Sequence, residues 1–145
     1  MNHRLGSALV ALLSLASLAA SAGTINLRAY LNGAQVPTAS TGTGVATVTL
    51  DTDTNLLSWS VTFSGLTSAV NGAHFHGPAP AGTDAGIAVG MTGTTSPLTG
   101  SSTIDATQRA QLLSGQWYVN IHTLNHGAGE IRGQVLPVRA DFTND

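Results

Sequence analysis

The 145-residue chain contains no cysteine and no lysine, and only 8% of its residues are charged. Without cysteine no disulfide can form, so the fold must be held by packing and by ladder hydrogen bonds. A thiolate metal site of the blue-copper type is excluded for the same reason. The five cationic side chains are all arginines, scattered from Arg4 to Arg139 against seven acidic residues. Phosphate neutralisation needs clustered Lys or Arg, and so does an anionic membrane surface, so nucleic acid and charged lipid are poor partners. Long apolar runs are scarce too. The run at residues 9–20 is broken by Ser14 and Ser17 and is too short for a good bilayer span. With His3 and Arg4 before it and Ala20-Ser21-Ala22 behind it, it reads as a secretory signal peptide over residues 1–22. A secreted or periplasmic protein starting at Gly23 is expected, without membrane insertion. The glycines follow no phosphate-loop spacing, and the acidic residues lie mostly in turns and form no carboxylate pair.

The remaining stretch of about 120 residues suits one domain with one core. Thr, Gly, Ser, Ala and Val dominate it, with turn residues at short intervals, which predicts an all-β fold. Strands are expected at residues 24–31, 44–51 and 57–64. In the second, Ala46, Val48 and Leu50 share one face; in the third, Leu57, Trp59, Val61 and Phe63 do, and the two make a hairpin. Shorter strands follow at 72–77, 87–92 and 101–104. Asp105 reads as the N-cap of a helix over 106–113, with Gly115 just past its end. Trp117, Val119 and Ile121 alternate with Tyr118, Asn120 and His122, and a last strand is expected over 129–138. About eight short strands and one helix predict a Greek-key β-sandwich or barrel over residues 23–138, with a polar tail at 139–145.

The chemistry concentrates in the histidines. His74 and His76 lie two apart on a predicted strand, so they share a face at a spacing of roughly 7 Å. Ala73 and Phe75 take the opposite, apolar face. His122 lies on the polar face of its own strand, with Tyr118 and Asn120. If the two strands are neighbours, three imidazoles converge outside the hydrophobic core, which makes a metal site. His126, in a Gly-rich loop, is a further candidate ligand, with incidental exposure as the alternative. All-nitrogen ligation favours copper, with zinc as the alternative, over calcium or magnesium. Met91 is either a soft axial ligand or a gap-filling core residue. Arg132 shares its predicted face with Glu130, which suggests either a structural Glu130–Arg132 pair or a cation beside the site. Asp51 and Asp53 read as turn residues rather than a calcium site.

Three segments carry a family resemblance. Ala73-His74-Phe75-His76-Gly77-Pro78, residues 113–123 ending in Asn120-Ile121-His122-Thr123, and Gly129-Glu130-Ile131-Arg132-Gly133-Gln134 resemble the CHRD domain, the module named for chordin. Leu31-Asn32-Gly33-Ala34-Gln35-Val36-Pro37 and residues 41–51 resemble its opening strands. The family's usual Glu and second Pro near Val36-Pro37 are absent, and His126 stands where a Pro is usual. Chordin's cysteine-rich modules are absent too, so its growth-factor antagonism is not implied. A looser site-level resemblance, to copper–zinc superoxide dismutases, implies copper on His74, His76 and His122 and a catalytic Arg132 that guides a small anion such as superoxide. The disulfide and zinc-loop residues of those enzymes have no counterpart here. The alternative is a non-enzymatic adhesion or protein-interaction module, or a structural zinc site.

Overall fold

The computed structural model describes residues 23–139. The predicted signal peptide and residues 140–145 of the predicted tail lie outside the described residues. The strands are β1 (Thr24–Leu31), β2 (Thr43–Asp51), β3 (Leu56–Ser64), β4 (Val70–His76), β5 (Ile87–Met91) and β6 (Leu98–Thr103). The helix α1 (Ala106–Leu113) follows, then β7 (Tyr118–Thr123), β8 (Ile131–Gln134) and β9 (Leu136–Pro137). They form two antiparallel sheets, one ordered β6-β3-β2-β1-β9 and the other β5-β4-β7-β8. The expected all-β fold is thus a two-sheet sandwich.

Alternation explains why these segments pair as they do. Leu27, Ala29 and Leu31 of β1, Ala46, Val48 and Leu50 of β2, and Leu57, Trp59 and Val61 of β3 are buried on one side. Across from them lie Ala73 and Phe75 of β4 and Val119 and Ile121 of β7. A one-residue slip in any of these ladders would turn the apolar set outward, so burial fixes the register. Asp105 caps α1 as expected: its side chain accepts from the Gln108 backbone N–H, and the Gln108 side chain accepts from the Asp105 N–H.

One expectation needs correction, and the choice left open for Met91 is decided in favour of the core. The single last strand is split. β8 pairs with β7, the chain changes sheets at the buried Val135, and β9 pairs with β1. Asn32 and Arg132 bridge the two sheets at this corner through mutual backbone hydrogen bonds. Gly133 makes that possible, since a Cβ there would lie 2.0 Å from the Tyr30 carbonyl oxygen. Met91 is no axial ligand. It pairs with Ala73, is buried in the core, and lies on the side of the sheet opposite His74. The Asp51 carboxylate accepts from the Asp53 and Thr54 N–H groups, which is the turn the sequence suggested.

Candidate metal centre

β4 and β7 are hydrogen-bonded neighbours, with Gly72 opposite His122 and His74 opposite Asn120. That register brings His74, His76 and His122 together on the outer face of the four-stranded sheet. The ring centroids form a nearly equilateral triangle, with sides of 5.4, 5.0 and 5.6 Å. One nitrogen from each ring lies within 4.8 Å of the other two. His126 is not part of this triad. Its backbone makes the tight turn after β7, bonding to Thr123 and Gly129.

The face is polar, covered at His76 and half-open at His74 and His122. Residues 78–86 fold back over it as a strap whose neck is closed by the Gly77 N–H on the Gly86 carbonyl. His76 is 8% exposed beneath it, and Tyr118, Asn120 and Arg132 are buried as well. The strap fixes the chemistry of His76. The Ala85 carbonyl accepts from Nδ1 at 2.9 Å, so Nδ1 carries the proton and Nε2 has the free lone pair. His122 is held in the same state by the Gly127 carbonyl, 3.0 Å from its Nδ1. The two Nε2 atoms then face each other at 3.4 Å. That contact is favourable only with a proton or a metal cation between them. His74 contributes a buried Nδ1 with no hydrogen-bond partner. Burial lowers the His74 pKa, helped by His122 and His76. Burial also lowers that of His76; the Ala85 carbonyl and Asp84 oppose the shift, while His122 and Arg132 add to it.

Of the two alternatives for Arg132, the pair with Glu130 is not formed. The Arg132 guanidinium lies 3.9 Å from the Tyr118 ring centroid, donates to Asp84 at 2.7 Å and to the Thr83 carbonyl at 2.8 Å, and is 1% exposed. Tyr118 in turn stacks on His76, with ring centroids 5.1 Å apart and planes 6° from parallel. Arg132 is therefore bonded to the strap and reaches the triad through Tyr118. Glu130 sits before β8, where Gly129 at φ +125 turns the chain and interrupts the alternation that the face assignment assumed. Its carboxylate accepts from the hydroxyls of Ser40, Thr67 and Thr123 and from the Thr67 N–H. Burial raises its pKa, but those four donors outweigh burial and hold it at about 2.

The CHRD domain family profile matches residues 27–135. The chain belongs to the CHRD domain family. The match spans both sheets, all three triad histidines and the Gly129–Gln134 block. Domains of this family are typically extracellular or periplasmic. No curated protein and no solved structure matches the chain.

Sequence reasoning missed three contributors to this CHRD-domain site. Gly72 shares the face of the histidines, and a Cβ on it would stand 3.2 Å from the His74 ring. Its position two residues before His74 was the available signal. Ala85 and Asp84 act from the strap, and nothing local marks them.

Proposed function

We propose that this CHRD-domain protein is a secreted or periplasmic metal-binding module that holds a copper-type ion on His74, His76 and His122. The observation that carries the reading is the pair of Nε2 lone pairs 3.4 Å apart, each freed by a backbone carbonyl on the ring's other nitrogen. Nitrogens about 2.05 Å from a tetrahedral ion stand roughly 3.3 Å apart, so this edge already has the spacing of a loaded site. The second shell of two of the three ligands is built as metal-binding histidines require, with the Nδ1–H of His76 and of His122 each donated to a backbone carbonyl. Three neutral imidazoles without a carboxylate or thiolate suit copper first and zinc second. His126, close in sequence to His122, would serve as an accessory ligand once the turn at residues 123–129 moves.

Three protein ligands leave a coordination position open, which is what a redox or hydrolytic centre needs. Dismutase-like turnover of superoxide is the enzymatic form of this reading. Arg132 would support it as a positioning residue, because Asp84 and Thr83 already engage both terminal nitrogens of its guanidinium. The test is metal analysis of the purified mature protein beside His76→Ala and His122→Ala. One copper per chain, lost in both variants, is expected. Copper retained by both would overturn the site. Bound copper without superoxide consumption would leave the binding module and remove the enzyme. Stoichiometric zinc with no bound copper would assign the structural alternative.

A further inference from the structure

The sandwich is closed at one side and open at the other. At the closed side the Asn32–Arg132 bridge and the close approach of Gly133 to Tyr30 join β1 to β8. At the open side β5 and β6 are the last strands of their sheets, and no bridge links them among the described residues. Between them runs a groove of about 420 Å³. Its walls are the edges of both strands, and Gln108 of α1 also lines it, with its side-chain amide 3.5 Å from the Ala88 carbonyl.

Three features point to what this groove takes. The first is unpaired backbone. The Ile104 N–H bonds to the Asn55 carbonyl, so alternation along β6 turns Ser102, Gly100 and Leu98 toward β3. The backbone groups of Thr99, Ser101 and Thr103 therefore point away from β3. Ser101 and Thr103 line the groove, and among the described residues only one of their four groups has a partner, the Thr103 carbonyl with the Ser102 hydroxyl at 3.4 Å. The second is missing protection. Native edges are blunted by lysine, proline or charge, yet β5 (IAVGM) and β6 (LTGSST) carry none of these, whereas the two-residue edge β9 contains Pro137. The third is the floor. Trp59 lines it at 8% exposure with its Nε1–H unpartnered, and Gly100 lets the indole slide under the edge, since a Cβ there would lie 2.6 Å from the ring.

We infer that the β5–β6 groove receives an extended, uncharged peptide segment of a partner protein, which adds a strand to the β6 edge. A buried indole offers no exposed ring face on which a sugar could stack, and the lining has no charge with which to hold an ion. Unpaired main chain, in contrast, matches the main chain of another strand. Gly90, with open space where a Cβ would stand, lets a second backbone come close. This site is independent of the metal centre, whose histidines project from the outer face of β4 and β7.

The probe is a phage-displayed library of random twelve-residue peptides, selected on the mature protein. Recovered peptides should be uncharged and alternate apolar with hydroxyl residues. On binding, the amide exchange of Thr99, Ser101 and Thr103 should slow. Ser101→Pro removes a groove-facing N–H without touching the β3 ladder and should weaken binding at least tenfold. Thr103→Lys, an exposed change that restores edge protection, should do the same. The inference is overturned if no peptide is recovered, if both variants bind equally well, or if protection appears elsewhere. It is also overturned if sedimentation shows the groove filled by a second copy, with a dimer that Thr103→Lys dissociates.

Discussion

At the scale of single residues, Glu130 and Gly72 show how two unlike side chains serve one structure. Glu130 is a fully buried carboxylate with no cation against it. Its four hydrogen bonds tie residues 40 and 67 to the end of β7, so they fasten loops rather than chemistry. Because its pKa is lowered from 4.5 to about 2, the folded state gains stability above pH 4.5, where the unfolded chain's carboxyl is also ionised. That gain shrinks as the pH falls and is gone below about 2. Its size at neutral pH is about 3 kcal/mol. Glu130→Gln should therefore lose about 3 kcal/mol at pH 7 in urea unfolding, and the difference from the parent should close as the pH approaches 2. A constant difference across that range would show that the charge is not what matters. Gly72 works by absence. Gly72→Val should crowd the His74 ring and weaken copper binding about tenfold or more in a calorimetric titration, with the far-ultraviolet spectrum unchanged.

At the scale of elements, the strap over residues 78–86 is the piece that makes a polar sheet face into a site. Most of its attachments pass through residues at or near the triad: Ala85 to His76, the Ala85 N–H to the Tyr118 hydroxyl, Thr83 and Asp84 to Arg132, and Ala79 to Gln134; the Ala79 N–H also bonds to the Gln116 carbonyl. Arg132→Lys removes the planar fork and its stack on Tyr118 but keeps the charge. The expected result is copper affinity reduced about tenfold, in the range of second-shell changes, with metal stoichiometry retained. A change in melting temperature with unchanged affinity would show that Arg132 serves the strap alone. This element also marks what the sequence could reveal. The strands of the core, the capped helix and the shared face of His74 and His76 were legible, because alternation and capping are local signals. β1 begins and ends at the residues expected. The strap's role was not legible, since its bonds to Arg132 join residues 48 and 49 positions apart and nothing in Pro-Ala-Pro-Ala-Gly-Thr-Asp-Ala-Gly marks which face it covers. The Glu130–Arg132 pairing failed for a related reason. It assumed that one strand ran through Gly129, whose positive φ breaks it.

At the scale of the whole molecule, the triad and the core are separable. The ligands come from two adjacent strands of one sheet, so the ion would not cross-link the two sheets. The interior has its own closure, from Leu27 of β1 to Ile131 and Val135 at the crossing between sheets, with Phe75 edge-on to Trp59 at 5.3 Å. Metal removal should therefore leave a folded protein, unlike small metal-nucleated domains that unfold without their ion. Binding should act as linkage alone. At a free copper concentration a hundredfold above the dissociation constant, it adds about 2.7 kcal/mol to stability. For a domain of this size that corresponds to a rise of about 10 °C in melting temperature. Circular dichroism melts with chelator and with added copper would show both forms folded at 25 °C and separated by this shift. His122→Ala should melt near the chelated wild type and respond little to copper. Unfolding on chelation would make the metal a structural element of the fold, and the independence of the core from the triad would be wrong.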